Sequence, residues 1–161
     1  NGFIELDSCK MWDVKVGGKY YITKNSESIQ IVLYNYEHYN DLYADGEYFT
    51  LQTHSRYEPF QLKQINTYKF TFNNLNFDYA KIKITRITKE SGSSYDINEA
   101  MTNIEFENID ETMDLKKLST AKYELFGKSI ENNSFDLSIS LRSLETKLIE
   151  IKLLRNSFKN I

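Results

Sequence analysis

Residues 134–154, SFDLSISLRSLETKLIEIKLL, contain two runs in which apolar and polar side chains alternate. Alternation with a period of two is typical of β-strands that have one face in a core and the other in water. The apolar positions are Phe135, Leu137, Ile139 and Leu141 in the first run, and Ile149, Ile151 and Leu153 in the second. The stretch therefore predicts two strands that close a mainly β domain.

The same alternation predicts a hairpin near the start of the chain. Residues 19–23 form a short β-prone run, 25–27 form a turn, and 28–36 form a second strand. In that second strand the residues expected on one face are Ile29, Ile31 and Leu33.

Two further strands follow a long loop. Residues 67–72 place Tyr68, Phe70 and Phe72 on one face, and Asn73-Asn74 marks a turn. Residues 79–88 set apolar Ile82 and Ile84 against a solvated row of Lys81, Lys83 and Thr85. Seven or so short strands at regular spacing predict an antiparallel β-sandwich.

The pattern changes to a helical one at about residues 96–121, so we predict a short α-helical insertion there. A first helix would span 96–102, and a second would span 109–121. Asn108 with Glu111 resembles a capping box that starts the second helix. The side of this helix expected to be buried contains Met113, Leu115 and Leu118.

The size and composition of the chain indicate one globular domain. It has 161 residues, 40% of them hydrophobic and 27% charged, which argues against disorder. We divide it into a lead-in segment at 1–18, the sandwich at 19–154 and a tail at 155–161. Because it begins at Asn1 without methionine, we interpret it as a piece of a longer protein.

Charge and cysteine content limit the partners and the compartment. The net charge of −3 argues against direct contact with nucleic acid, and no apolar run reaches the ~18 residues of a membrane span. The single cysteine, Cys9, excludes an intrachain disulfide, so we expect a cytoplasmic protein.

The loop at 37–60 is the candidate functional region because a polar loop of this length is costly to order unless it covers something. The candidate residues in and beside it are Tyr34, Tyr36, His38, Tyr39, Asp41, Tyr43, Tyr48 and Tyr57. Their rings could stack on a sugar, or they could pack against a neighbouring domain. We favour packing, so the loop is a docking surface and also a candidate contact between copies of the chain.

No pattern of residues in the sequence predicts a catalytic, metal-binding or phosphate-binding site. His38 and His54 lack zinc-ligand spacing, Cys9 has no nucleophile signature, and Gly17-Gly18 fits no phosphate-binding motif. The loop carboxylates cannot be assigned as an acid/base pair from spacing. We therefore expect no catalytic residue, no metal ligand and no cofactor.

One stretch resembles a known family. Residues 20–49, YYITKNSESIQIVLYNYEHYNDLYADGEYF, are similar to the start of the C-terminal β-sandwich of glycoside hydrolase family 39 β-xylosidases. The segments at 90–119 and 144–152 resemble the later segments of that domain in the same order. Asn98 stands where the family usually has tryptophan, and Thr102 where it has glycine.

The resemblance implies a partner, namely a barrel that precedes Asn1 in the parent chain and contains the catalytic glutamates. It implies that this chain is a non-catalytic accessory domain. The same unit occurs in some AraC-type transcriptional regulators, and the departures at Asn98 and Thr102 favour such a parent. The alternatives are an active β-xylosidase or a stand-alone carbohydrate-binding module.

Overall fold

A computed structural model of the chain describes residues 13–17, 19–36, 38, 57, 60, 65–100 and 109–155. The strands are β1 (Asp13–Gly17), β2 (Tyr20–Lys24), β3 (Ser28–Tyr34), β4 (Asn66–Phe72), β5 (Tyr79–Ile87), β6 (Lys122–Ser129), β7 (Phe135–Leu141) and β8 (Thr146–Leu154). Two helices, α1 (Ser94–Ala100) and α2 (Ile109–Leu118), lie between β5 and β6.

The strands form two antiparallel sheets. The larger sheet has the order β1-β2-β3-β8-β5-β6, and the smaller sheet pairs β4 with β7. This arrangement confirms the predicted antiparallel β-sandwich with a short helical insertion. Because β8 lies between β3 and β5, the last strand of the domain joins the hairpin at its start to the strands from its middle.

The core is built from the strands whose sequences alternate. In the larger sheet, Ile149 of β8 lies in register with Ile31 of β3 on one side and Ile84 of β5 on the other. The buried apolar residues are Ile29, Ile31, Leu33, Leu75, Ala80, Ile82, Ile84, Phe135, Leu137, Ile139, Leu141, Ile149, Ile151 and Leu153. The predicted inward faces of β3, β5, β7 and β8 are thereby confirmed.

Aromatic rings close the smaller sheet over this core. Tyr68, Phe70 and Phe72 stack along β4 with centroid distances of 6.4 and 6.3 Å. Phe72 stacks on Phe135 of β7 at 4.7 Å, and Tyr20 of the larger sheet meets Phe70 edge-on at 6.4 Å. These contacts explain why the predicted aromatic face of β4 points inward.

Two strands were not recognised in the sequence. β6 lacks an inside–outside pattern because all of its residues are exposed. β1 lies within the segment interpreted as lead-in, yet its backbone pairs with β2 from Asp13↔Lys24 to Gly17↔Tyr20. The strand predicted to reach Tyr36 ends at Tyr34. Arg155, the first residue of the predicted tail, lies over the ring of Phe77.

The predicted helices exist, but the predicted buried side of the second helix is wrong. The first helix spans Ser94–Ala100 and so begins two residues before the predicted start, while 101–102 and the predicted cap Asn108 lie outside the described residues. The second helix ends at Leu118 instead of 121. Met113 is 50% exposed and Leu118 is 56% exposed, while Leu115 is half-buried. Among the described elements α2 packs mainly on α1.

Candidate docking surface at the base of the loop

The start of the long loop is held by Asn35, the residue that follows β3. Its side chain is buried, and its Oδ1 accepts hydrogen bonds from Lys19 Nζ at 2.9 Å and Asn66 Nδ2 at 2.7 Å. Its backbone nitrogen donates to Glu145 O at 3.0 Å, and its carbonyl accepts from Leu144 N at 2.7 Å. The loop therefore leaves the sandwich from a position bonded to β4, to the segment before β2 and to the turn between β7 and β8.

That turn, residues 142–145, is itself held by an internal carboxylate. Glu145 is buried, and its Oε2 accepts from Arg142 N at 2.8 Å. Its Oε1 lies 3.4 Å from Lys147 Nζ, which also donates to Ser140 O at 2.7 Å. A buried charge with an ion partner and a backbone donor is satisfied, so this turn is a rigid support. Leu144 takes a φ of 58° within it.

The other end of the loop is attached to the start of α1. Tyr57 donates its hydroxyl to Asp96 Oδ2 at 2.7 Å, and Phe60 N donates to Tyr57 O at 3.1 Å. Asp96 also accepts from the Ser93 hydroxyl, and Asp96 N donates back to Ser93 Oγ at 3.3 Å. Ser93 thus caps the start of α1 by accepting from Asp96 N, and Tyr57 is anchored on the Asp96 carboxylate.

A cleft of about 600 Å³ lies where this anchor meets the sandwich. It is lined by Tyr57, Phe60, Ile87, Thr88, Lys89, Gly92, Ser93, Ser94, Tyr95 and Leu144. Gly92 has a φ of 83°, and a Cβ there would lie 3.3 Å from both Ala121 Cβ and Ile87 Cγ1. Only glycine fits this position without strain, so the turn into α1 depends on it.

We use the name loop base for Asn35, Tyr57 and the turn 142–145. Leu144 connects its two sides, because it bonds to Asn35 and also lines the cleft that contains Tyr57. The loop base therefore presents both described ends of the loop on one part of the sandwich. This arrangement can orient the loop toward a neighbouring domain.

Tyr34, a predicted site residue, does not belong to the loop base. Its side chain lies on the face of β3 opposite buried Leu33 and stacks on Tyr21 of β2. The two ring centroids are 6.0 Å apart, and the angle between the ring planes is 23°. The pKa of the Tyr34 hydroxyl is raised, mainly by burial and to a smaller extent by the hydrogen bond with Tyr21. Burial also raises the pKa of Tyr68. Both hydroxyls are therefore neutral hydrogen-bonding groups at physiological pH.

Tyr36 and His38 are presented at the surface. Tyr36 is 52% exposed, and its ring meets His38 edge-on with centroids 5.1 Å apart. Four predicted site residues, Tyr39, Asp41, Tyr43 and Tyr48, lie outside the described residues, as does most of the loop at 37–60. Tyr34, Tyr36 and Tyr57 each have a separate ring or hydroxyl partner, namely Tyr21, His38 and Asp96.

Sequence reasoning missed most of the loop base. Asn35 and Glu145 of the loop base, and the donors Lys19 and Asn66 that bond to Asn35, come from four separate segments, so no periodicity marks them as a group. The Ser93-x-x-Asp96 spacing was a usable signal, since it precedes a helix and matches a capping box. Asn98 was singled out for its departure from the family, and its Oδ1 is buried without a hydrogen-bond partner among the described residues.

Neither a metal centre nor a membrane span is found in the part of the chain that the structure describes. There, no three His, Cys, Asp or Glu side chains cluster in a way that could hold an ion. No described helix is long and apolar enough to cross a bilayer. What the loop base offers is hydrogen-bonding and aromatic groups on a rigid support.

Replacing Tyr57 with phenylalanine is expected to lower the free energy of unfolding by about 1–2 kcal/mol, because a hydrogen bond to a carboxylate is lost. Urea denaturation measures this change. The matched control is Tyr79→Phe, which removes a hydroxyl from a residue that is 44% exposed. Equal effects of the two changes would show that Tyr57 does not anchor the loop.

Comparison with solved structures identifies proteins that share this fold. A monomeric β-xylosidase from Caulobacter crescentus CB15 matches with a TM-score of 0.60 at 14% identity, over 86% of this chain and 27% of its own. The GH39 enzyme from Xanthomonas axonopodis pv. citri matches with a TM-score of 0.59 at 7% identity, over 86% and 26%. A GH39 β-xylosidase from Caulobacter crescentus matches with a TM-score of 0.51 at 14% identity, and the match covers 85% of this chain and 23% of the enzyme.

The chain therefore has a fold found in family 39 glycoside hydrolases, and it spans about a quarter of their length. At these identities the similarity concerns the fold alone. No protein-family model and no curated protein matches the sequence.

Proposed function

We propose that this chain is a non-catalytic accessory β-sandwich of a larger glycosidase-like protein. The observation that carries the proposal is the coverage, since most of this chain matches about a quarter of each family 39 enzyme. The remaining three quarters of such an enzyme would include the barrel expected before Asn1. In this arrangement the sandwich supports the barrel and contributes no catalytic residue.

The docking surface of this proposal is the loop at 37–60, oriented by the loop base. Asn35 holds one end through buried hydrogen bonds, and Tyr57 holds the other end through Asp96. Ordering a long polar loop costs conformational entropy, and fixing both of its ends reduces that cost before a partner binds. Exposed Tyr36 and His38 then extend the surface with an aromatic pair that a barrel could cover.

For the parent we propose a cytoplasmic AraC-type regulator with a family 39-like module. The support is that the family's sequence pattern is not kept in α1, where Asn98 replaces the tryptophan expected from the resemblance. Its Oδ1 is a buried acceptor without a partner among the described residues, whereas a tryptophan would fill such a position with apolar surface. An active β-xylosidase is the alternative parent. Oligomerisation through the loop remains part of the proposal.

A stand-alone carbohydrate-binding module is the second candidate, favoured by the exposed ring of Tyr36. Sugar-binding modules need exposed aromatic faces beside polar groups, and Tyr36 with His38 provides a minimal version of this arrangement. Against it, the hydroxyl of Tyr57 and the ring of Tyr34 already have partners within the sandwich.

Hydrogen exchange tests the docking surface. Amides at 36–60 should exchange more slowly in the full-length parent than in the 161-residue chain, because the barrel would cover them. Amides of the sheet centre at 149–153 provide the control and should exchange equally in both. Equal exchange at 36–60 in the two proteins would exclude this loop as the docking surface.

Substrate assays separate the function classes. The purified chain is expected neither to hydrolyse an aryl β-xyloside nor to bind xylose, xylo-oligosaccharides or xylan. Hydrolysis would overturn the non-catalytic assignment, and binding that is lost in Tyr36→Ala would establish the carbohydrate-binding module. In the parent sequence, a barrel with paired glutamates indicates a glycosidase. A helix-turn-helix region followed by a barrel that lacks those glutamates indicates a regulator.

A further inference from the structure

β6 is an edge strand whose outer side has no strand partner in the described part of the chain. It spans eight residues, all exposed and none of them proline. Tyr123 is 62% exposed, Leu125 54% and Phe126 39%. A long, exposed edge with apolar side chains on both faces is a template for pairing with another strand.

The backbone direction of β6 follows from its first residue. Lys122 N donates to Ser91 Oγ at 2.8 Å, and that hydroxyl donates to Arg86 O at 3.2 Å. Since Arg86 is the register partner of Lys122 on β5, the N–H of Lys122 points toward β5. Backbone groups alternate along a strand, so the odd-numbered residues Tyr123, Leu125, Gly127 and Ser129 direct their N–H and C=O groups outward.

We propose that a second copy of the chain pairs with this edge, β6 against β6, antiparallel about a two-fold axis at Phe126. Such a pairing is isologous, as most protein dimers are. It joins the two six-stranded sheets into one continuous sheet. The outward-facing Leu125 and Gly127 then exchange both of their backbone hydrogen bonds with the partner's Gly127 and the partner's Leu125.

Charge complementarity selects this register. With Phe126 on the axis, Glu124 lies opposite the partner's Lys128 and Lys128 lies opposite the partner's Glu124, so opposite charges face each other twice. Within the chain, Glu124 also lies 3.9 Å from Arg86 Nη1, and Lys128 Nζ donates to Asp136 O. Phe126 meets the partner's Phe126 between the two facing charge pairs. These are non-hydrogen-bonded positions, where opposing side chains are closest. Moving the axis to Leu125 instead would place Lys122 opposite the partner's Lys128, which repels twice.

Space on the other face is consistent with the same register. Gly127 lies opposite the partner's Leu125, and a Cβ added at Gly127 would meet nothing within 4 Å. The room above Gly127 accepts the leucine side chain from the partner. The three charged residues of β6 would normally discourage edge pairing, but here Glu124 and Lys128 complement the partner.

Sedimentation velocity across a wide range of protein concentrations tests this inference. The wild-type chain is expected to show a reversible monomer–dimer equilibrium. Glu124→Lys and Lys128→Glu should each weaken association roughly tenfold, because two attractive pairs become repulsive. The double variant Glu124→Lys/Lys128→Glu should restore the wild-type dissociation constant. Lys122→Glu is the matched control on the same strand and should leave association unchanged.

A backbone variant gives an independent measurement. Gly127→Pro removes an N–H that points away from β5 and would bond the partner, so it should abolish the dimer while circular dichroism reports a folded monomer. A monomer at every concentration would overturn the inference. A dimer that neither the charge reversals nor Gly127→Pro weakens would overturn it as well.

Discussion

Replacing Ile149 with alanine is expected to lower the free energy of unfolding by about 3–4 kcal/mol. Ile149 is fully buried at the centre of β8, between Ile31 and Ile84 in register on the two neighbouring strands. β8 is the strand that joins the hairpin at the start of the chain to the middle strands. The alanine would leave a cavity that the flanking strands cannot close, since their ladders hold them in place.

Urea denaturation of the chain measures this loss. Ile149→Val removes one methyl group and is expected to cost about 1 kcal/mol, which separates the volume effect from a failure to fold. Leu154→Ala is the control on the same strand, because Leu154 is 38% exposed. A loss from Ile149→Ala no larger than that from Leu154→Ala would contradict the assignment of this position as the core centre.

Replacing Asn35 with alanine is expected to lower the free energy of unfolding by about 2–3 kcal/mol. The change removes Asn35 Oδ1, which accepts two hydrogen bonds. The donors Lys19 Nζ and Asn66 Nδ2 then lose this acceptor in a part-buried site. A donor that loses its partner away from water costs its full desolvation penalty, and a charged donor costs more. The loop base would loosen at the point where the loop begins.

Three measurements distinguish this effect from an ordinary loss of polar surface. Asn35→Asp retains oxygen acceptors for both donors and should preserve most of the stability. Asn73→Ala, at an exposed position of the turn after β4, should cost almost nothing. Hydrogen exchange at 36–38 should accelerate in Asn35→Ala and not in Asn73→Ala. Equal stability of the two alanine variants would show that Asn35 does not hold the loop.

Much of the fold could be predicted because each sheet of the sandwich has one buried face and one solvent-exposed face. Alternation along β3, β5, β7 and β8 identified the inward residues, and each of those positions is buried. β6 could not be found in this way, since a strand exposed on both faces has no alternation. Its place next to β5 depends on backbone pairing, which side-chain periodicity does not encode.

The helices show a different limit of prediction. Their positions were predicted within a few residues, because the change from a two-residue period to a helical period is a local pattern. The buried face of α2 was wrong, because an apolar residue is buried only where another element covers it. Met113 and Leu118 remain exposed, as α2 packs mainly on α1 among the described elements.

The candidate site was predicted only as a segment. Tyrosine content and loop length identified 37–60, but they did not indicate which residues hold its ends. Tyr57 was included as a candidate binding residue, and the structure places its hydroxyl on Asp96. Asn35 was predicted only as a residue of the strand at 28–36, although its buried side chain bonds to Asn66 and fixes the start of the loop.

The strand class, the inward faces and the position of the helical insertion can be predicted from local sequence, because these features depend on residues two to four apart in one segment. The strand order, the exposed edge at β6 and the loop base arise only in the folded domain. Each of those depends on groups that are far apart along the chain, such as Asn35 with Asn66 and Glu145. Their contacts exist only once the sheets have paired, so no local pattern of residues can encode them.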